Sequence, residues 1–204
     1  MQDGKTGRKP SAKRDAILEA ARIVFLDQGY ASASMDSVAA EAGVSKATIY
    51  AHFTSKDELF GAMIRSRCER NATFAVVDSA LNARQTLTVM GRRLLELLLQ
   101  PQTLAVYRLV MSESERHPDL AKAFYDSGPG TGKALIAQVI DDLARRKELE
   151  VADSWIAADL FVGMLRTDLF MRSILGLPQP EGRTLDTAVA DAVDTMLRAF
   201  GPRG

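Results

Sequence analysis

The residues that could do chemistry are few, and most lack the partners that chemistry needs. The glycine-rich string SGPGTGKA, Ser127 to Ala134, invites a phosphate-loop reading. Such a loop requires a glycine five residues before its Gly-Lys pair, a Ser or Thr after the lysine, and a strand in front. Those two positions hold Ser127 and Ala134 and no strand precedes them, so the string reads as a Gly/Pro-rich connection between helices. His52 and His117 are the only histidines and Cys68 is the only cysteine. Metal sites need several such ligands close together, so no metal is expected and no cofactor is called for. No Ser, His and Asp trio carries a motif for nucleophilic catalysis. Asp141 and Asp142 are adjacent, so on a helix their carboxylates diverge instead of sharing a substrate. An enzyme is not expected; a nucleotide-binding one built on Ser127 to Ala134 is the weakest reading.

A different chemistry, recognition of a polyanion, concentrates between Met35 and Leu59, MDSVAAEAGVSKATIYAHFTSKDEL. The elements that position it can be read from spacing. Met35, Val38, Ala39 and Ala42 recur at i, i+3, i+4 and i+7, the apolar face of a short helix. Gly43 tolerates the left-handed conformation that stops it, and Val44 can tuck back as an apolar plug. Ser45 offers a side-chain oxygen to the first turn of a second helix. Ile49 and Phe53, four apart, anchor that helix inward. Lys46, Ala47, Thr48, Tyr50 and His52 are left on or near its outward side. Ser55 with Glu58 three residues on predicts a capping box that opens a further helix. Helix, tight glycine turn and helix make a helix-turn-helix, whose second helix enters the DNA major groove. Lys56 falls in the first turn of the further helix, where free N–H groups and the positive dipole end favour a phosphate.

At these residues the chain resembles the N-terminal domain of the tetracycline-repressor (TetR) family of bacterial transcriptional regulators. The string AEAGVSKATIYAHFTSKDEL follows the family's pattern nearly position by position, including Gly43, Val44, Ser45, Tyr50, Phe53, Lys56 and Leu59. The resemblance covers about a quarter of the chain strongly and the rest by architecture. It implies DNA contacts from Ser34, Ser45, Lys46, Ala47, Thr48, Tyr50, His52 and Lys56, with Lys56 on a phosphate. From the residues alone, Tyr50 could bury its ring or present its hydroxyl, and His52 could meet phosphate or pack. VYRLVMSESERHPDLAKAFYDSGPG, Val106 to Gly130, resembles the C-terminal domain of the AefR-like branch of that family. The resemblance further implies a homodimer on double-stranded DNA, at a palindromic operator, answering to a small-molecule effector. In the family the last two long helices pair with their symmetry mates, and about 131–147 and 152–175 are the matching candidates here.

Composition agrees with an all-α chain of this kind. In 204 residues, 47% are apolar and only 6% aromatic, which suits one or two compact domains. Basic and acidic residues balance at 26 each, so net charge is silent about nucleic acid. Its distribution is not: Met1 to Arg14 holds Lys5, Arg8, Lys9, Lys13 and Arg14 against Asp3 alone, a basic arm fit to condense on a polyanion. One cysteine excludes a disulfide framework. There is no signal-peptide core and no apolar run approaching the roughly 18 residues of a membrane span. A cytoplasmic protein with no membrane partner is the expectation.

In chain order, Ile17, Leu18, Ala21, Val24 and Phe25 form a helical stripe closing at Gly29. Three helices this small bury too little to stand alone, so the fourth, Ser55 to about Ser79, should weld them to the remainder. Gly61 inside it implies a close helix contact. Five or six more helices are expected, at about 84–99, 101–115, 118–126, 131–147, 152–175 and 184–199, with Pro101 and Pro118 in first turns. The implied organisation is a basic arm (1–10), a three-helix helix-turn-helix DNA-binding domain (11–55) and a larger helical effector-binding and dimerisation domain (56–204), with helix 56–79 linking the two.

The segment 152–175 reads as one helix apolar on nearly all sides, whose cover would come partly from a second subunit. Arg166 and Asp168 interrupt it, and three readings stand: a pair across the dimer, a ligand's polar group, or an exposed strip. Tyr107, Met111, Phe124, Trp155, Phe161, Arg166 and Phe170 are the candidate effector-pocket residues. Plain core is the alternative for the apolar ones. His117, before Pro118, reads as a solvated loop residue. A DNA-binding regulator that answers to a protein partner is the rival to one with a metabolite, and a closed domain without a cavity would favour it.

Overall fold

The computed structural model describes residues 12–71, 75, 78 and 80–202. The basic arm, residues 1–10, lies outside them. Among the described residues the chain forms eleven α-helices: α1 (Ala12–Gln28), α2 (Met35–Glu41), α3 (Lys46–His52), α4 (Lys56–Asn71), α5 (Ala83–Leu99), α6 (Pro101–Glu113), α7 (Pro118–Ser127), α8 (Pro129–Arg145), α9 (Ser154–Leu165), α10 (Asp168–Leu175) and α11 (Leu185–Phe200).

Several helices begin where side chains take up the unmatched backbone groups of the first turn. The hydroxyl of Ser34 accepts the Ser37 N–H and the Ser37 hydroxyl accepts the Ser34 N–H, a reciprocal cap for α2. Asn82 with Gln85 and Thr184 with Thr187 do the same for α5 and α11. Pro101, Pro118 and Pro129 occupy the first turns of α6, α7 and α8, where the missing N–H costs nothing.

Three expectations about helix bounds need correction. The segment 152–175 is not one helix: the chain leaves α9 at Arg166 (φ −85, ψ 43) and restarts at Asp168. No glycine or proline marks this break, so the apolar periodicity runs through it. Apolarity on all sides resolves into two faces. Ala157, Ala158, Phe161, Leu165, Leu169 and Phe170 point into the core, while Trp155, Ile156, Leu160, Met171 and Leu175 are exposed. Second, Ser127 to Ala134 is not a loop. Gly128 alone separates α7 from α8, and a Cβ there would come within 3.1 Å of both Ile64 Cγ2 and the Phe124 carbonyl oxygen. Third, α4 is described to Asn71, and Ala75 and Asp78 are not helical; Ser79, the expected end, lies outside the described residues.

Two apolar cores result. One joins α5, α8, α9, α10 and α11 around Leu87, Met90, Leu95, Ile140, Phe161 and Met196. The other joins α1 to α4 and also takes in Val106 and Val110 of α6 and Leu120 of α7. The aromatic centre of this second core is Phe25, Tyr30 and Phe60, with ring centroids 5.4 to 5.8 Å apart. Gly61 meets the expected close contact: a Cβ there would lie 3.3 Å from Ser127 Oγ and 3.4 Å from Ala123 Cβ of α7. His117 lies in the non-helical stretch before α7, as expected, but is only half-exposed. It stands at the N-cap of α7, and its ring meets Tyr30 edge-on at 5.2 Å, closing the first four helices against the larger domain.

Candidate nucleic-acid interface

The turn between α2 and α3 is built from backbone bonds that a left-handed residue permits. Gly43 has φ +64; its N–H donates to the Ala40 carbonyl and the Val44 N–H to that of Ala39, at 3.2 and 3.0 Å. This double closure is a Schellman motif, and it turns the chain directly into the α3 cap. There the Ser45 hydroxyl accepts the Thr48 N–H at 3.2 Å and lies 2.8 Å from the Thr48 hydroxyl. Ile49 and Phe53 are buried at 0% and 2% exposure, which fixes the rotation of α3.

That rotation sets Lys46, Ala47, Tyr50 and His52 outward, with Thr48 half-buried and Tyr50 47% exposed. Ser34 and Ser45, the caps of α2 and α3, are exposed as well. The structure therefore presents seven of the anticipated DNA-contact residues from α3 and the two caps beside it. Lys46 is paired: its Nζ lies 2.8 Å from Asp36 Oδ2 on α2, and that hydrogen bond raises its pKa. A phosphate approaching Lys46 competes with Asp36.

Lys56 is engaged within the fold. Its ammonium donates to the carbonyl oxygens of Tyr30 (2.7 Å), Ala33 (3.1 Å) and Ala31 (3.4 Å) and lies 4.3 Å from the centroid of the Tyr30 ring. Burial lowers its pKa. Through these carbonyls it staples the α1–α2 turn to α4. The α4 cap departs by one residue. Ser55 Oγ accepts the Glu58 N–H at 3.1 Å as anticipated, but Glu58 Oε2 takes the N–H and hydroxyl of Thr54, at 2.6 and 2.7 Å. The Tyr30 hydroxyl donates to Asp57 of the first turn of α4; burial, then that bond, pushes its pKa up.

The larger domain holds a cavity of about 390 Å³, within the roughly 300–1,000 Å³ range of ligand pockets. Of the anticipated pocket residues, Tyr107, Phe124 and Arg166 line it. Four do not. Phe161 is fully buried in the core, where its ring would meet a Cβ on Gly91 at 3.0 Å. Phe170 backs the Tyr107 ring at 5.3 Å from behind the wall. Trp155 faces outward on α9 under Lys133, and Met111 is 64% exposed on α6. The residues that sequence reasoning missed include Ile64 and Cys68 of α4 and Leu94 and Leu98 of α5. Each lies on an ordinary apolar stripe, so no signal separates wall from core. Gly128 and Gly132, from the refused phosphate loop, line the cavity as well.

Arg166 and Asp168 are both exposed, so neither is a buried charge. Asp168 pairs with Arg172 within α10 at 2.8 Å. The Arg166 guanidinium lies 4.8 and 5.4 Å from the ring centroids of Phe170 and Tyr107. Among the described residues there is no cluster of three His, Cys, Asp or Glu fit for a metal, and no helix long and apolar enough to cross a membrane.

Comparison with known proteins assigns both halves. Residues 17–63 match the family described as bacterial regulatory proteins, tetR family, and residues 85–202 match the AefR-like transcriptional repressor, C-terminal domain. The transcriptional repressor Rv1474c of Mycobacterium tuberculosis is 28% identical over 189 residues, 92% of this chain and 94% of that protein. The transcriptional activator FasR of Mycolicibacterium smegmatis is 39% identical over 82 residues, 40% of this chain but only 35% of its own length. The solved structure of the flavonoid-responsive regulator FrrA superposes with a TM-score of 0.79 at 32% identity, over 96% of this chain and all of that one. The match is to regulators and not to enzymes: the chain belongs to the TetR family of helix-turn-helix, DNA-binding transcriptional regulators, with an AefR-like C-terminal domain.

Proposed function

We propose that the protein is a homodimeric repressor that leaves a palindromic operator when a small apolar or aromatic effector enters the cavity. The observation that carries this reading is the double duty of α4. Leu59 and Phe60 lie in the core of the reading head, and one to two turns on, Ile64 and Cys68 line the cavity. A ligand that shifts α4 therefore shifts the head. Half-sites one helical turn apart require recognition helices about 34–36 Å apart, so a small swing breaks the fit. Effector and operator then weaken each other's binding by one common factor. The apolar strip on α9, Trp155, Ile156 and Leu160, supports the pairing of two copies through α8 and α9. A cavity of this size favours a small molecule over a protein partner, and FrrA, named for its response to flavonoids, supports an aromatic one.

On this reading Ser45, Lys46, Ala47, Thr48 and Tyr50 contact base edges and sugar-phosphate, with Ser34 and His52 on the flanking backbone and Lys56 holding the turn. In a mobility-shift assay with a palindromic duplex selected from random DNA, two copies should bind per duplex, and Tyr50→Ala should lose at least about tenfold in affinity, the roughly 1.4 kcal/mol of one good contact. One copy per duplex, or full affinity in the variant, overturns it.

A further inference from the structure

The walls of the cavity carry four cations, Arg65, Arg67, Lys133 and Arg166, against one carboxylate, Glu69. They are not equally available. Lys133 is neutralised by Asp159 at 3.0 Å. Arg65 donates to the Ser127 hydroxyl at 3.3 Å and Arg67 to the Gln100 amide oxygen at 2.9 Å. Arg166 is different: among the described residues no carboxylate, carbonyl or hydroxyl meets its guanidinium, which lies on the faces of Tyr107 and Phe170. A guanidinium held between two rings, 4.8 and 5.4 Å from their centroids, has already lost much of its rotamer freedom, so an incoming anion pays less to organise it.

A second feature of the same wall acts in the same direction. The 17-residue helix α8 starts at the cavity with Pro129, Thr131 and Gly132, and no side chain caps its N-terminus. Its free N–H groups and the positive end of its dipole favour negative charge. Apolar side chains, among them Ile64, Leu94, Leu98 and Ile136, form most of the rest. Arg166 is exposed while these are buried, so the cation stands at the mouth and the apolar surface lies inside.

We propose that the effector is an amphiphilic anion, its apolar or aromatic body inside the cavity and its carboxylate or phenolate on Arg166 and the start of α8. This rests on the reading of the cavity as the effector site. The test uses the full chain and calorimetric titration of decanoate and 2-naphthoate, each against the alcohol and the amine with the same body. Each carboxylate should bind at least about tenfold tighter than its alcohol, the worth of one charge-assisted hydrogen bond, and the amines weakest of all. Arg166→Gln should bring carboxylate and alcohol to near-equal affinity, while Arg166→Lys keeps most of the preference. Alcohols or amines that bind as tightly as carboxylates, or a preference untouched by Arg166→Gln, overturn the anion and leave a cavity for a neutral or cationic effector. No binding by any of the six overturns both the anion and the effector site.

Discussion

Lys56→Met separates two ways in which a lysine can matter to DNA binding. In the structure the ammonium makes two good hydrogen bonds, to the Tyr30 and Ala33 carbonyls at 2.7 and 3.1 Å, and a long one to Ala31 at 3.4 Å. Bonds to a charged donor contribute about 1.5–3 kcal/mol each when buried. This site is half-buried and the carbonyls can recruit water, so about 2 kcal/mol in total is expected. Methionine keeps the stem over the Tyr30 ring, which limits the loss to the ammonium. For a chain of this size that corresponds to a fall of about 4–8 °C in Tm. Operator affinity should fall too, because the α1–α2 turn carries Ser34 and the start of α2. Its salt dependence should not change, since no counterion release is lost. A lysine on phosphate predicts the reverse: an unchanged Tm and a log–log salt slope shallower by about 1.8, since the dimer loses two phosphate contacts. Thermal unfolding together with operator titration from about 50 to 200 mM salt decides it, and a shallower slope at constant Tm would refute the staple.

Two further outcomes can be checked directly. Leu160→Glu sets a carboxylate beside Asp159 in the apolar strip of α9; the dimer dissociation constant should rise by at least about 100-fold in sedimentation velocity, with helical content unchanged. Glu58 is held below its ordinary value of 4.5 by the Thr54 hydroxyl and then by the Thr54 N–H. A depressed carboxylate stabilises the fold above that ordinary value and loses the contribution as pH falls through its lowered one. Wild type should therefore be the more stable at neutral pH and converge with Glu58→Gln on acidification below about 4.5, measured by denaturant unfolding across that range.

What was legible in the chain was local. Gly43, Ser45, Ile49 and Phe53 determine the turn and the rotation of α3 through contacts between near neighbours in sequence, so spacing alone reveals them. What was not legible depends on distant partners. Lys56 finds its carbonyl acceptors 23 to 26 residues upstream, and nothing in KDEL announces that the ammonium is spent there. His117 meets Tyr30 across the molecule, although next to Pro118 it resembles any loop residue. The break at Arg166 has no glycine or proline because the chain needs no left-handed residue to make it. Cavity walls escape for a plainer reason: Leu94 and Leu98 lie on the same stripe as the packed Leu87, and only the neighbouring helices decide which of them faces empty space.

Tyr30 follows α1 directly in sequence, yet its ring is shared by Phe25, Phe60, Lys56 and His117, and the core around it includes Val106, Val110 and Leu120. The reading head is thus not a detachable module. A chimera that grafts residues 11–55 onto another regulator's body would leave Tyr30 and the rest of this core facing a foreign α6–α7 tip. Exchange of DNA specificity between relatives should succeed by replacing the outward residues of α3 alone, or by carrying Val106, Val110, His117 and Leu120 along with the head.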